Sequence, residues 1–194
     1  VQVSEDVQQA SEKHFEANTS APVTTAQVLY SDGTLFHGPR LQGITSVERF
    51  DYLGLLAQCQ LPQIENSDCG SFIPKQGFGD SQPFAEDYLL QAMLVWARLK
   101  YGAASLPSAI GEFVCYAPMH NGDQGWLELS VIKSTARSLQ ADISLYHQDG
   151  RLSAVMKGAK VTISKSLNDA FLPKSSSAVS KKEATKNAEK EQLS

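Results

Sequence analysis

Between Pro83 and Lys100 the apolar side chains fall on nearly every side of a 3.6-residue spiral. Leu89, Leu90, Met93, Leu94, Val95, Trp96 and Leu99 cover more than one face, the pattern of a helix buried on most sides. Pro83 suits the first turn, with Asp80 or Ser81 placed to cap it. Glu86 and Asp87 lie where the macrodipole favours negative charge, and Gly102 marks the stop. Elsewhere the period shortens. Ala26–Tyr30 (AQVLY) reads as a strand before a turn at Ser31-Asp32-Gly33. Leu41 to Leu61 is rich in apolar and β-branched residues, with Gly43 and Gly54 as bends or bulges. Leu61 to Gly79 is loop-like. After Gly102, partial alternation predicts strands over Ser108–Ala117, Gly125–Lys133, Leu139–His147 and Leu152–Ser164, with an Asp149-Gly150 hairpin turn before the last. Strands, one long helix, then antiparallel strands make an α+β domain in which the sheet must cover the helix.

The two ends lack such periodicity. Residues 1–20 are polar and read as a linker or a frayed helix; residues 167–194 hold few large apolar side chains and read as a disordered tail or linker. A single domain over 21–166 remains. A module flanked by linkers fits a piece of a multidomain protein.

Composition narrows the classes. A net charge of −4 over 194 residues gives no pull toward nucleic acid or an anionic membrane, and no apolar run reaches the length of a membrane span. Cys59, Cys69 and Cys115 are odd in number and lack metal-ligand spacing, as expected of thiols in a reducing cytoplasm. No His, Cys, Asp and Glu cluster has ligand spacing, so no metal is expected.

Asp87 and Gln91 are the anomaly in the greasy helix. One turn apart, they project the same way, beside Leu90 and Leu94. An acidic residue in a first turn can serve the dipole alone. A carboxyl facing an apolar crevice, with a carboxamide fixing its rotamer, can instead act as a general acid. The spacing leaves both roles open.

The motif Asp87-Tyr88-Leu89-Leu90-Gln91 resembles the Asp-x-x-x-Gln of the second half of polyketide and fatty-acid synthase dehydratase domains. Leu35 to Ile44 (LFHGPRLQGI) resembles that half's aromatic-Gly-Pro-x-x-x-Gly segment, and Leu106-Pro107 resembles the Leu-Pro that opens its next strand. The order agrees from about residue 20 to 166, and the Phe36-His37-Gly38-Pro39 form is most like the dehydratase-like domain of bacterial polyunsaturated fatty acid synthases. The resemblance implies a hot-dog fold, one long central helix wrapped by a curved antiparallel sheet. It implies a β-hydroxyacyl thioester substrate, carried on the phosphopantetheine of an acyl carrier protein, with no further cofactor. Asp87 would be the catalytic acid and Gln91 its orienting partner. His37, Gly38, Pro39, Leu90 and Leu94 would line the substrate tunnel.

The histidine of such dehydratases lies in the first half, in His-x-x-x-Gly-x-x-x-x-Pro. None of His14, His37, His120 and His147 is followed by Gly four residues later. The histidine-bearing half therefore lies upstream, or in a partner, or the module is non-catalytic. His37 is read as tunnel lining, substrate contact or base; His120 and His147, near strand ends and turns, as solvated. Trp96 is read as core, while Trp126 could face either way. Three functions follow: a dehydratase module, a non-catalytic hot dog that binds acyl chains or docks neighbouring synthase domains, and an acyl-coenzyme A thioesterase. A homodimer would cover exposed sheet edges.

Overall fold

The computed structural model describes residues 13–15, 21–63 and 83–171. Its centre is the predicted helix, α2 (Pro83–Tyr101). Around it curves an eight-stranded sheet, formed by β1 (Thr24–Thr25), β2 (Ile44–Phe50), β3 (Gly54–Gln60), β4 (Ala104–Ala109), β5 (Glu112–Cys115), β6 (Gln124–Thr135), β7 (Ser138–His147) and β8 (Leu152–Ser164). The spatial order is β1-β2-β3-β6-β7-β8-β4, with β5 also paired to β8, and every pairing is antiparallel. α2 packs against β2, β3, β4, β6, β7 and β8, so the sheet wraps it as the hot-dog arrangement requires.

The helix is greasy all round because nearly all of it is inside. Tyr88, Leu89, Ala92, Met93, Val95, Trp96 and Ala97 are buried, with Leu127, Ile143, Leu145 and Val161 across the interface. The Trp96 indole N–H donates to the Asp51 carbonyl at 2.9 Å, which satisfies the one polar group of this core side chain. Gly102, at φ 61°, ends the helix as expected, and its N–H donates to the Arg98 carbonyl. The cap residues Asp80 and Ser81, and most of the loop over 61–79, lie outside the described residues.

Several strand expectations change in detail. AQVLY is not a strand but a short helix, α1 (Ala26–Ser31); only Thr24–Thr25 before it pair with β2. Neighbours on a strand point to opposite faces, whereas neighbours on a helix are about 100° apart. The helix thus turns both Leu29 and Tyr30 inward and leaves Val28 exposed. Leu41–Leu61 becomes the β2–β3 hairpin, which reverses where Asp51 Oδ1 accepts the N–H groups of Leu53 and Gly54. The irregularities fall inside β2, between Ile44 and Ser46 and between Val47 and Arg49, rather than at Gly43 or Gly54. The predicted strand 108–117 starts earlier and breaks at Ile110-Gly111 into β4 and β5. Pro107 is tolerated because β4 is the last strand of the sheet path. The Asp149-Gly150 turn joins β7 and β8 as expected.

Trp126 faces away from the helix. It is buried in a second cluster with Leu56 and Tyr146, and Phe15 covers it at 5.4 Å between ring centroids. The neighbouring Lys13 bonds to the Gly150 carbonyl and pairs with Glu128. At the other end Asn168, in the short helix α3 (Asn168–Phe171), accepts the Ala104 N–H and donates to the Gly102 carbonyl. Cys59 is buried, and burial pushes its thiol up to about 12; Cys115 is exposed.

Gly43 has a reason that the sequence does not display. A Cβ there would stand 1.8 Å from Tyr88 Cζ and 2.3 Å from its hydroxyl oxygen. The ring itself is fully buried, so it has nowhere to retreat. Gly43→Ala is expected to cost about 1–3 kcal/mol in urea denaturation, the usual penalty of overpacking. Adding Tyr88→Leu should recover part of that loss; strictly additive penalties would show that the ring contact is not the cause.

Candidate functional site

Three segments meet at the N-terminal part of α2. α1 brings Tyr30, the loop after it brings His37 and Leu41, and α2 brings Asp87 and Gln91. The loop is shaped by Gly38-Pro39. Pro39 opens a single 3₁₀ turn over Pro39–Leu41, and the Leu41 N–H donates to the Gly38 carbonyl. The turn presents the Leu41 carbonyl to α2, while Gln42 Nε2 holds the His37 carbonyl at 3.1 Å.

Gln91 is the hub. It is fully buried, and all its hydrogen-bonding capacity along this path is used. Its Nε2 donates to Asp87 Oδ2 at 2.6 Å and to the Leu41 carbonyl at 2.7 Å. Its Oε1 accepts the Tyr30 hydroxyl at 2.8 Å. That hydroxyl in turn accepts the Ile44 N–H at 3.1 Å. The direction of each bond is forced. A backbone carbonyl can only accept, so the amide nitrogen must face Leu41, the Asp87 oxygen on the same nitrogen accepts as well, and Oε1 must then receive a donor. Tyr30 can be that donor because it keeps its proton: burial, with a smaller contribution from the Asp87 charge, pushes the phenol well above its usual range. A backbone amide of β2 therefore fixes a carboxyl on α2 through two side chains.

Asp87 itself is 30% exposed, so it is anchored yet reachable. His37 Nε2 stands 3.6 Å from the same Oδ2. The imidazole is 9% exposed and stacks on Phe36 at 4.6 Å, with 20° between the planes. Its Nδ1 is buried and has no hydrogen-bond partner. The Tyr88 hydroxyl, on the residue after Asp87, is likewise buried without one, and burial raises that phenol above its usual range.

The predicted site residues thus separate. Asp87, Gln91 and His37 are brought together. Gly38 and Pro39 are exposed in the adjoining loop, and a Cβ on Gly38 would meet nothing within 4 Å. Leu90 is half-buried, but Leu94 is buried in the core. Tyr30 and the Leu41 carbonyl were not anticipated; Tyr30 sits 61 residues before Gln91, and no local pattern links them.

The other histidines lie apart. His147, expected in solvent, is instead buried, with Nε2 3.0 Å from the Ala117 carbonyl. It lines an open cleft of about 490 Å³ with Pro118, His120, Asp123, Asp149 and Arg151, which includes none of the predicted site residues. Among the described residues no group of three or more His, Cys, Asp or Glu side chains is placed to hold a metal, and no helix is long and apolar enough to cross a membrane.

Comparison with known proteins agrees with the fold. The model of the polyketide synthase dehydratase N-terminal domain matches residues 8–170. A polyunsaturated fatty acid synthase polypeptide from a Thraustochytrium species is 28% identical over 130 residues, which are 67% of this chain and 5% of that protein. Among solved structures, the dehydratase domain of RzxB from Pseudomonas fluorescens superposes with a TM-score of 0.57 at 19% identity, over 79% of this chain and 53% of that one. The dehydratase domain of the CurK module of curacin polyketide synthase gives 0.56 at 22% identity, over 79% and 51%. The chain therefore spans about half of those solved domains and about a twentieth of the fatty acid synthase polypeptide. The matching family model is that of an N-terminal domain, whereas the Asp-x-x-x-Gln motif resembles the second half.

Proposed function

The chain belongs to the polyketide synthase dehydratase N-terminal domain family, and from that membership we propose that it dehydrates β-hydroxyacyl thioesters as one module of a cytoplasmic multidomain synthase. The substrate is presented on the phosphopantetheine arm of an acyl carrier protein, and neighbouring synthase domains are its partners. By its motif the chain is the aspartate-bearing, second-half type of hot dog.

The observation that carries the reading is the clamp on Asp87. Gln91 holds one carboxyl oxygen at 2.6 Å and is itself held by Tyr30 and Leu41, while the carboxyl stays reachable from outside. In the elimination a base takes the α-proton, and the C–H pair becomes the new π bond. The β C–O bond breaks with its pair on oxygen, and Asp87 supplies the proton that completes water. A carboxyl whose rotamer is fixed in advance loses little on reaching the transition state.

A 3-hydroxyacyl thioester of N-acetylcysteamine, or of the carrier protein, tests this directly. The expected result is a conjugated enoyl thioester, seen by its ultraviolet absorbance, and the reverse hydration. Release of free thiol without an enoyl product would move the chain to thioester hydrolysis. Binding without turnover would favour the non-catalytic hot dog, which the missing His-x-x-x-Gly motif favours.

A further inference from the structure

We propose that the convex face of the sheet around Trp126 is a docking site whose occupant is the chain's own Lys13-His14-Phe15, held there as a strap that opens without unfolding the domain. The inference stands apart from the dehydratase reading and from the Asp87 site.

Trp126 on β6 and its partner Tyr146 on β7 point away from α2, where a side chain ordinarily meets water. Both are nevertheless buried, at 1% and 5% exposure, together with Leu56 of β3. A sheet cannot bury its own outward face, so a cover is needed, and Phe15 and Leu152 supply it. The Phe15 ring stacks on the Trp126 indole at 5.4 Å with 22° between the planes, and meets the Tyr146 ring at 4.9 Å and 59°. Lys13 ties the other end. Its N–H donates to the Gly150 carbonyl at 3.1 Å, its ammonium pairs with Glu128, and the same ammonium stands 5.7 Å from the centre of the Tyr146 ring. Gly150 lies in the β7–β8 turn at φ 88°, which already favours glycine. A Cβ there would also stand 1.8 Å from the Lys13 carbonyl oxygen, so strap and turn meet only because that side chain is missing. His14, between the two anchors, is exposed, the alternation of an extended segment.

Trp126 Nε1 is the weak point. It is buried with no hydrogen-bond partner. The stacking that holds the strap is opposed by the lost hydration of this N–H, which opening restores. Such a segment opens locally while the strands beneath it stay paired. The strap brings the chain into the domain beside the β7–β8 turn, on the far side of the sheet from α2.

Trypsin cleavage of the Lys13–His14 bond in the full chain reads the opening, with a synthetic peptide of residues 8–20 as the unprotected reference. The bond is expected to be cut about 10–10²-fold more slowly in the chain than in the peptide. Phe15→Ala should raise the rate about tenfold and move the Trp126 emission to longer wavelength, with Trp96 in the core as a constant background. Glu128→Gln should raise the rate only about two- to threefold, because that pair is partly exposed. Cleavage after Lys133, inside β6, should stay slow in all three proteins, which marks the opening as local. Cleavage of the wild-type chain at the rate of the peptide, or an unchanged rate in Phe15→Ala, overturns the strap. Acceleration at Lys133 in step with Lys13 overturns its local opening. Protection that falls on dilution would put the strap of one copy on the sheet of another, and overturns the chain's own segment as the occupant.

Discussion

Asp87→Asn lowers kcat for dehydration by about 10²–10⁴-fold while stability stays within about 1 kcal/mol of the wild type. The substitution is clean because of what surrounds it. Gln91 presents an N–H to Asp87, and asparagine still has one oxygen to accept it. The rest of the clamp, from Leu41 through Gln91 to Tyr30 and Ile44, does not touch this carboxyl and remains. The amide nitrogen of the new side chain then occupies the other branch, and it cannot deliver the proton that the leaving hydroxyl needs. The fold should survive, as read by an unchanged melting curve, and the chemistry should not, as read by loss of enoyl absorbance. Asp87→Ala is a poorer probe, since it also strips one acceptor from Gln91 and mixes the two effects. Full dehydration by Asp87→Asn would leave the carboxyl as a dipole partner of α2 and nothing more.

The parts of this site that were legible in the sequence are those written locally. The 3.6-residue period, Pro83 and Gly102 define α2, and the four-residue step from Asp87 to Gln91 defines a shared face; both depend on near neighbours along one helix. The Gly38-Pro39 segment could be singled out by its motif, but not its distance from α2. Tyr30 could not be found at all. Five residues of AQVLY fit a strand or a helix equally well, and the choice was made by Leu29 and Tyr30 both finding space inside. Trp126 had the same ambiguity, and the outer cluster with Phe15 and Tyr146 settles it. Gly43 looked like a bend because glycine often marks one, yet its missing side chain makes room for the Tyr88 ring. Each of these depends on a contact between distant parts of the chain, which periodicity does not encode.

Gln91→Leu is expected to destabilise the protein by about 2–4 kcal/mol, because leucine fills the space and satisfies none of the partners. The Tyr30 hydroxyl loses its acceptor and the Leu41 carbonyl loses its donor, both next to the core. Asp87, which is partly exposed, can turn to water, so its share of the loss is the smaller one in stability and the larger one in catalysis. Tyr30→Phe leaves a different pair unsatisfied, Gln91 Oε1 and the Ile44 N–H. If the path is one unit, the double variant costs clearly less than the sum of the singles, since it removes both ends of the Tyr30–Gln91 bond together. Urea denaturation of the four proteins measures this. The kinetic side follows from the same bonds: Tyr30→Phe keeps the acid and loses its anchor, so kcat should fall with the substrate affinity little changed. Additive stabilities together with a wild-type kcat in Tyr30→Phe would mean that the backbone of β2 does not hold the Asp87 carboxyl in place.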